Sequence, residues 1–286
     1  MENLEDKTRY IMKKYGISAN KSLGQNFLIN EEVVNNIVDS SEINKDDLVI
    51  EIGPGLGTLT ESLLENAGKV IAIELDNRMI KILNERFFMY DNFEVINEDV
   101  LKVDLAGLIK KEKAENNLVN AKIVANLPYY ITTPIIMKLL EEELDIESIT
   151  VMIQKEVADR LIATPGDKVS GAITYSVYYY AESESIMIVD NNSFIPEPEV
   201  QSEVIKLKIR KSPVIDLKDK DMFFKLIKIS FMQRRKTLLN ALVNGGVFRN
   251  KEDAKAIFDE IGLDMNARGE NLSMQDFKNL CDKLDK

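Results

Sequence analysis

The stretch Glu51-Ile-Gly-Pro-Gly-Leu-Gly-Thr58 constrains this chain most. It follows the apolar run Leu48-Val-Ile-Glu-Ile52, which reads as a buried strand, and it opens a helix over about Leu59–Asn66. Glycines at such a turn let the backbone bend sharply and approach a ligand with no Cβ in the way. The alternation continues downstream. Strands are expected at Val70–Glu74, Phe93–Ile96, Lys122–Ala125 and Ile149–Ile153, with helices at Met79–Phe87 and Pro134–Glu142. Short apolar strands separated by amphipathic helices imply a doubly wound α/β sheet. Val177–Ala181, Ser185–Val189 and Val204–Ile209 follow with no comparable helix between them, which predicts antiparallel strands at one sheet edge.

Both ends of the chain read as helical. Asn30 has the character of an N-cap before Val33, Val34, Ile37 and Val38. Beyond Ser212-Pro213 the spacing of Phe224, Ile227, Phe231, Leu238 and Leu242 predicts one helix ended by Gly245-Gly246. Asn250 and Ser273 are expected to cap two more helices, the first stopped by Gly262 and the second carrying Asp276 at its third position. The chain of 286 residues thus divides into a sheet domain, 1–211, and a small all-helical domain, 212–286.

Composition removes several chemistries. There is no histidine, so a Ser-His-Asp triad, a histidine general base and a histidine-ligated zinc site are excluded. No metal is expected. Cys281 is the only cysteine, so no internal disulfide is possible and a reducing, cytoplasmic compartment is expected. No run of about 18 apolar residues appears, so no transmembrane helix and no membrane partner are expected. The opening Met1–Asp6 is acidic and polar, unlike a secretory signal.

The glycine loop leaves two classes of ligand to compare. Dinucleotide sites use G-x-G-x-x-G against a pyrophosphate. Here the spacing is G-x-G-x-G, with Glu51 just before it. A carboxylate repels a pyrophosphate but suits a ligand with an ammonium and a sulfonium cation, which favours S-adenosylmethionine. Glu74, at the end of the next strand, can accept from both ribose hydroxyls, and Asp99, after the third, can accept from an adenine amino group. Gly53 and Gly55 supply the close backbone.

Asn126-Leu-Pro-Tyr129 ends the fourth strand, at the sheet edge where ligands react. The exocyclic amine of adenine is a poor nucleophile because its lone pair is delocalised into the ring. The side-chain oxygen of Asn126 and a backbone carbonyl, that of Leu127, can each accept one of its hydrogens and favour a tetrahedral nitrogen. Pro128 stiffens the loop, and Tyr129 can stack on the base. Phe194, in Ser193-Phe-Ile-Pro-Glu-Pro198, could form the other face of a base sandwich, or be a core aromatic.

Together these motifs closely resemble the bacterial ribosomal RNA small-subunit adenine dimethyltransferase family. Lys21-Ser-Leu-Gly-Gln-Asn-Phe-Leu28 is similar to the family's N-terminal cofactor motif. Gln154–Arg160, Gly171–Tyr175, Phe231–Leu238 and Arg268–Ser273 resemble further signatures, so the likeness covers nearly the whole chain. It implies a Rossmann-like class I S-adenosylmethionine-dependent methyltransferase sheet. It implies cofactor contacts from Asn26, Leu28, Gly53, Glu74, Asp99 and Asn126, with Gln25, Leu75 and Val100 beside them. It further implies a target site of Asn126–Tyr129 with Phe194, and two adjacent adenosines near the 3′ end of small-subunit RNA, each methylated twice, late in assembly of the particle. A monomer is expected. One departure is Glu199, where the family usually carries lysine.

The large-subunit enzymes of macrolide resistance share the chemistry, but usually carry Asn-Ile-Pro-Tyr and are more basic. An assembly factor with secondary methylation is the remaining reading. The net charge of −11 opposes a polyanion, yet residues 212–286 carry 14 basic against 12 acidic side chains. Within them Arg234, Arg235 and Lys236 form the clearest basic cluster and the expected RNA contact.

Overall fold

The computed structural model describes residues 3–20, 23–233 and 235–284. In chain order the elements are α1 (Leu4–Tyr15), β1 (Phe27–Leu28), α2 (Glu31–Ser40), β2 (Asp47–Ile52), α3 (Thr58–Asn66), β3 (Lys69–Glu74), α4 (Asn77–Phe87), β4 (Phe93–Asn97), α5 (Leu105–Asn116) and β5 (Asn120–Asn126). Then come α6 (Thr132–Glu141), β6 (Ser148–Gln154), α7 (Lys155–Ile162), α8 (Ala172–Tyr180), β7 (Ala181–Val189), β8 (Phe194–Ile195), β9 (Ser202–Ile209), α9 (Lys220–Met232), α10 (Leu238–Asn244), α11 (Lys251–Ile261) and α12 (Met274–Leu284). Two compact units result: Met1–Ala158 with Ser183–Ile209, and Asp159–Glu182 with Arg210–Lys286.

The first unit holds a seven-stranded sheet in the order β4-β3-β2-β5-β6-β9-β7. Its first five strands are parallel, and β9 runs antiparallel to β6. Every residue of β2 is buried, as a central parallel strand covered on both faces requires. The chain order reverses between β2 and β5, so the ends of these two strands open a crevice at a topological switch point. Asn30, Asp76 and Asp104 cap α2, α4 and α5, each side chain accepting backbone N–H groups of the first turn. A separate two-stranded ladder, Phe27↔Ile195 and Leu28↔Phe194, ties the N-terminal segment to the proline-rich loop.

Two sequence expectations are corrected. Val177–Ala181 is not a strand: residues 172–180 form α8, begun by a bond from Gly171 N–H to Thr174 Oγ1 at 2.9 Å. The β-branched and aromatic run there suits a strand by propensity, but tertiary packing overrides it. Tyr175 and Tyr179 are buried among helices, with the Tyr175 ring 5.2 Å from that of Phe277 and its hydroxyl donating to Leu272 O at 2.5 Å. Residues 159–182 accordingly cluster with the helical unit, whereas a division at 211 leaves them with the sheet. The helix expected through Phe224–Leu242 is likewise two, α9 ending at Met232 and α10 starting at Leu238. Phe231 and Leu238 are seven residues apart, a spacing that reads as one helical stripe in the sequence although the helix stops between them. Thr237 caps α10, and Leu238 N–H donates to Ala267 O at 2.7 Å.

Among the described residues, no helix is long and apolar enough to cross a membrane, and no cluster of three or more His, Cys, Asp or Glu side chains could hold a metal ion.

Candidate active site

The glycine loop after β2 curls over the ends of β2 and β3. Gly55 (φ 57°) points its N–H at Glu74 Oε2, 3.1 Å away, and Asp76 N–H reaches Glu74 Oε1 at 2.8 Å. Two backbone donors therefore fix both carboxylate oxygens while leaving further lone pairs for a ligand. Gly57 adopts φ 81°, and a Cβ there would lie 2.6 Å from the Phe87 ring, so the loop and α4 meet only through glycine. Glu51 is 2% exposed and accepts from Thr60 Oγ1 at 2.6 Å. Burial, opposed by Thr60 and reinforced by Glu74, pushes its carboxyl up to about 8. Burial also raises Glu74 above the ordinary carboxylate range.

Gln25 straps the N-terminal segment across this rim. Its Nε2 donates to Asp76 Oδ2 at 3.0 Å, and its Oε1 accepts Asn20 N–H at 2.9 Å. The Arg78 guanidinium beside Asp76 holds that carboxyl below its usual value. Asp99 uses Oδ1 to cap Leu101 N–H at 3.0 Å, which keeps the side chain in place and leaves its second oxygen uncommitted to that turn. Leu75 is half exposed, and Val100 is buried.

Past β5 the loop is pinned from three sides. Leu127 N–H donates to Met152 O at 3.1 Å. The Pro128 carbonyl accepts both Ile131 N–H and Thr132 Oγ1, at 3.3 and 3.1 Å. Asn126 Nδ2 donates to Asn26 O at 3.3 Å. The Tyr129 hydroxyl lies 2.6 Å from Ser202 Oγ, and burial raises the phenol above its ordinary value.

These two constellations share one hollow of about 1050 Å³, counting its open mouth. Gln25, Asn26, Leu28, Glu51, Gly53, Gly55, Glu74, Leu75, Asp99, Val100 and the whole of Asn126–Tyr129 line it. A carboxylate-rich pocket thus opens directly onto a rigid Asn-Leu-Pro-Tyr loop. The family model described as ribosomal RNA adenine dimethylase matches residues 16–286. The chain belongs to the ribosomal RNA adenine dimethylase family. Its activity is dimethylation of adenine in ribosomal RNA. A ribosomal RNA small subunit methyltransferase A from Alkaliphilus oremlandii is 46% identical to this dimethylase over 280 residues, covering 98% of this chain and 96% of that one. The protein of the same name from Bacillus mycoides is 47% identical over 281 residues, with the same coverage. Among solved structures, a dimethyladenosine transferase from Plasmodium falciparum superposes with TM-score 0.75 at 28% identity, covering 91% of this chain and 97% of that one. The 23S rRNA methyltransferase ErmE superposes with TM-score 0.66 at 25% identity, covering 91% of this chain and all of its own. The fold is that of a class I, Rossmann-like methyltransferase with a helical C-terminal portion.

In this dimethylase, Phe194 stands apart from the other candidate residues. It is 2% exposed, packs in the core of the sheet unit and does not line the hollow. Pairing of β8 with β1 sets it opposite Leu28, which does line the hollow. Of the basic cluster, Arg234 lies outside the described residues, as does Lys21 of the N-terminal motif. Arg235 and Lys236 are exposed in the turn between α9 and α10 rather than on a helix face. Thr58, Glu98, Tyr130 and Ile135 also line the hollow, and sequence reasoning did not select them. Glu98 and Tyr130 adjoin Asp99 and Tyr129, so adjacency to a motif was the available signal.

Proposed function

We propose that the dimethylase uses S-adenosylmethionine to dimethylate N6 of two adjacent adenosines in a hairpin loop near the 3′ end of small-subunit ribosomal RNA, late in assembly of the particle. The observation that carries this reading is the single hollow joining Glu51, Glu74 and Asp99 to Asn126–Tyr129. The donor set fits the cofactor. The Glu51 carboxyl suits the ammonium, the backbone-braced Glu74 carboxylate suits the ribose hydroxyls, and Asp99 suits the adenine amine, with Leu75 and Val100 as apolar walls for that ring. When bound, the cofactor supplies a methyl group already activated by a positive sulfur, so a strong base is not needed.

The chain's own part is to hold and reshape the amine. A target base turned out of its stack in the loop enters beside Tyr129, whose stacking is worth roughly 1–3 kcal/mol per base. Asn126 Oδ1 accepts one N6–H and the Leu127 carbonyl the other. Two fixed acceptors placed where a tetrahedral amine directs its hydrogens stabilise the transition state more than the flat ground state. The Pro128 carbonyl is already engaged by Ile131 and Thr132, which favours its neighbour Leu127 as the backbone acceptor.

The choice of subunit is supported by the 46% and 47% identical relatives, whose names specify the small one. We place RNA contacts on Arg235 and Lys236, and the enzyme's work in the cytoplasm as a monomer. The test incubates unmodified small- and large-subunit particles with labelled methyl donor. Dimethyladenosine in the small particle supports the reading. Label in the large particle transfers it to that subunit, and tight binding without label turns the protein into an assembly factor.

A further inference from the structure

We propose that Ser202 is a positioning residue for the methyl-transfer step, acting through Tyr129. This rests on the base-stacking role given to Tyr129 under the proposed function.

Tyr129 hangs from a rigid backbone, but its ring still turns about two side-chain torsions. A ring that must wait flat beside an incoming base gains from having those torsions settled beforehand, because ordering then draws nothing from binding. The hydroxyl supplies the second anchor. It lies 2.6 Å from Ser202 Oγ, a short and well-formed hydroxyl pair. Ser202 is itself immobile: it is 0% exposed and opens β9, paired with Gln154 in the β6–β9 ladder. The strap is completed one residue back, where Lys155 N–H donates to Gln201 O at 3.0 Å. Sheet register thus sets the position of a hydroxyl that sets the far end of the tyrosine ring. The contact joins residues 73 apart in sequence and does not involve any candidate cofactor residue. Ser202 does not line the hollow, so it reaches the substrate only through the ring.

The test uses the full chain and unmodified small-subunit particles, comparing Ser202→Ala, Ser202→Thr, Tyr129→Phe, the Tyr129→Phe/Ser202→Ala pair and Tyr129→Ala. Turnover, the KM for each substrate, cofactor affinity and the unfolding midpoint are measured for each. Ser202→Ala and Tyr129→Phe are each expected to lower kcat about tenfold, roughly 1.4 kcal/mol of barrier. Cofactor affinity stays within twofold, about the scatter of such measurements, because the cofactor pocket is untouched. The double variant is no slower than either single one, since both remove the same hydrogen bond. Ser202→Thr, which keeps the hydroxyl, restores kcat. Wild-type kcat in Ser202→Ala, additive losses in the pair, or loss of cofactor affinity in step with kcat would each overturn the inference. Tyr129→Ala separates the two levels. If Tyr129→Ala turns over like wild type, as Ser202→Ala then does too, the stacking reading itself fails. If Tyr129→Ala is crippled while Ser202→Ala is not, only the positioning role falls.

Discussion

Asn126 Nδ2 donates to the backbone carbonyl of Asn26, 3.3 Å away and 100 residues earlier in the chain. This bond turns the amide so that its oxygen, not its nitrogen, is left for the hollow. The N-terminal segment therefore helps to aim the acceptor on which the proposed chemistry depends.

Asn126→Ala should lower kcat by about 100-fold or more, the usual effect of removing a hydrogen-bond partner of developing charge. Cofactor affinity should change far less. Steady-state kinetics with a separate cofactor-binding titration checks this, and unchanged turnover would remove the acceptor role.

Glu51 makes folding pH-dependent. Its carboxyl is pushed up to about 8 from an ordinary 4.5, so between these values the folded state holds a proton that the unfolded state has lost. Its contribution is full below 4.5 and is lost as pH rises toward 8. Glu51→Gln should flatten the decline of the unfolding midpoint over that window and leave the variant the more stable form at its upper end. The same variant should bind the cofactor more weakly, having no charge to offer the ammonium. Parallel pH profiles for the two proteins would refute the burial argument.

Cofactor binding should release a proton from Glu51 near neutral pH, because a nearby cation favours the ionised carboxyl. Calorimetry in two buffers of different ionisation enthalpy reads this directly. Equal heats in both would mean that Glu51 does not face the cation.

Gly57→Ala and Gly16→Ala separate two kinds of glycine. Both positions have positive φ, but a Cβ at Gly57 meets Phe87 and Leu83 whereas one at Gly16 meets nothing within 4 Å. Gly16→Ala should lose only about 1 kcal/mol, for the left-handed backbone. Gly57→Ala should lose roughly 1–3 kcal/mol more from overpacking. Denaturant unfolding of both variants decides it.

Replacing Arg235 and Lys236 together by Ala should weaken particle binding and lower the slope of log K against log salt by about 1.4–1.8, the effect of two phosphate contacts. An unchanged slope assigns the pair to solvent.

Much of this was legible in the chain itself. Strand β2, the glycine turn, and caps at Asn30, Asn250 and Ser273 follow from local rules, since a capping side chain reaches only two or three residues along. The elements that escaped are those whose local signals conflict with their surroundings. The Tyr178–Tyr180 run has strand propensity, yet it closes a helix whose Tyr175 and Tyr179 are buried, against Phe277 of α12 and Phe224 of α9 respectively.

Residue order alone determined the chemistry on offer: carboxylates after successive strands, an Asn-Leu-Pro-Tyr loop, and no imidazole to act as a base. Only the tertiary structure decided which of these groups share a space, withdrawing Phe194 into the core and bringing Asn26 to Asn126 and Ser202 to Tyr129. The reason is range. Caps and turns are fixed by neighbours a few bonds away, whereas these contacts exist only once strand pairing has brought distant segments to the same sheet edge.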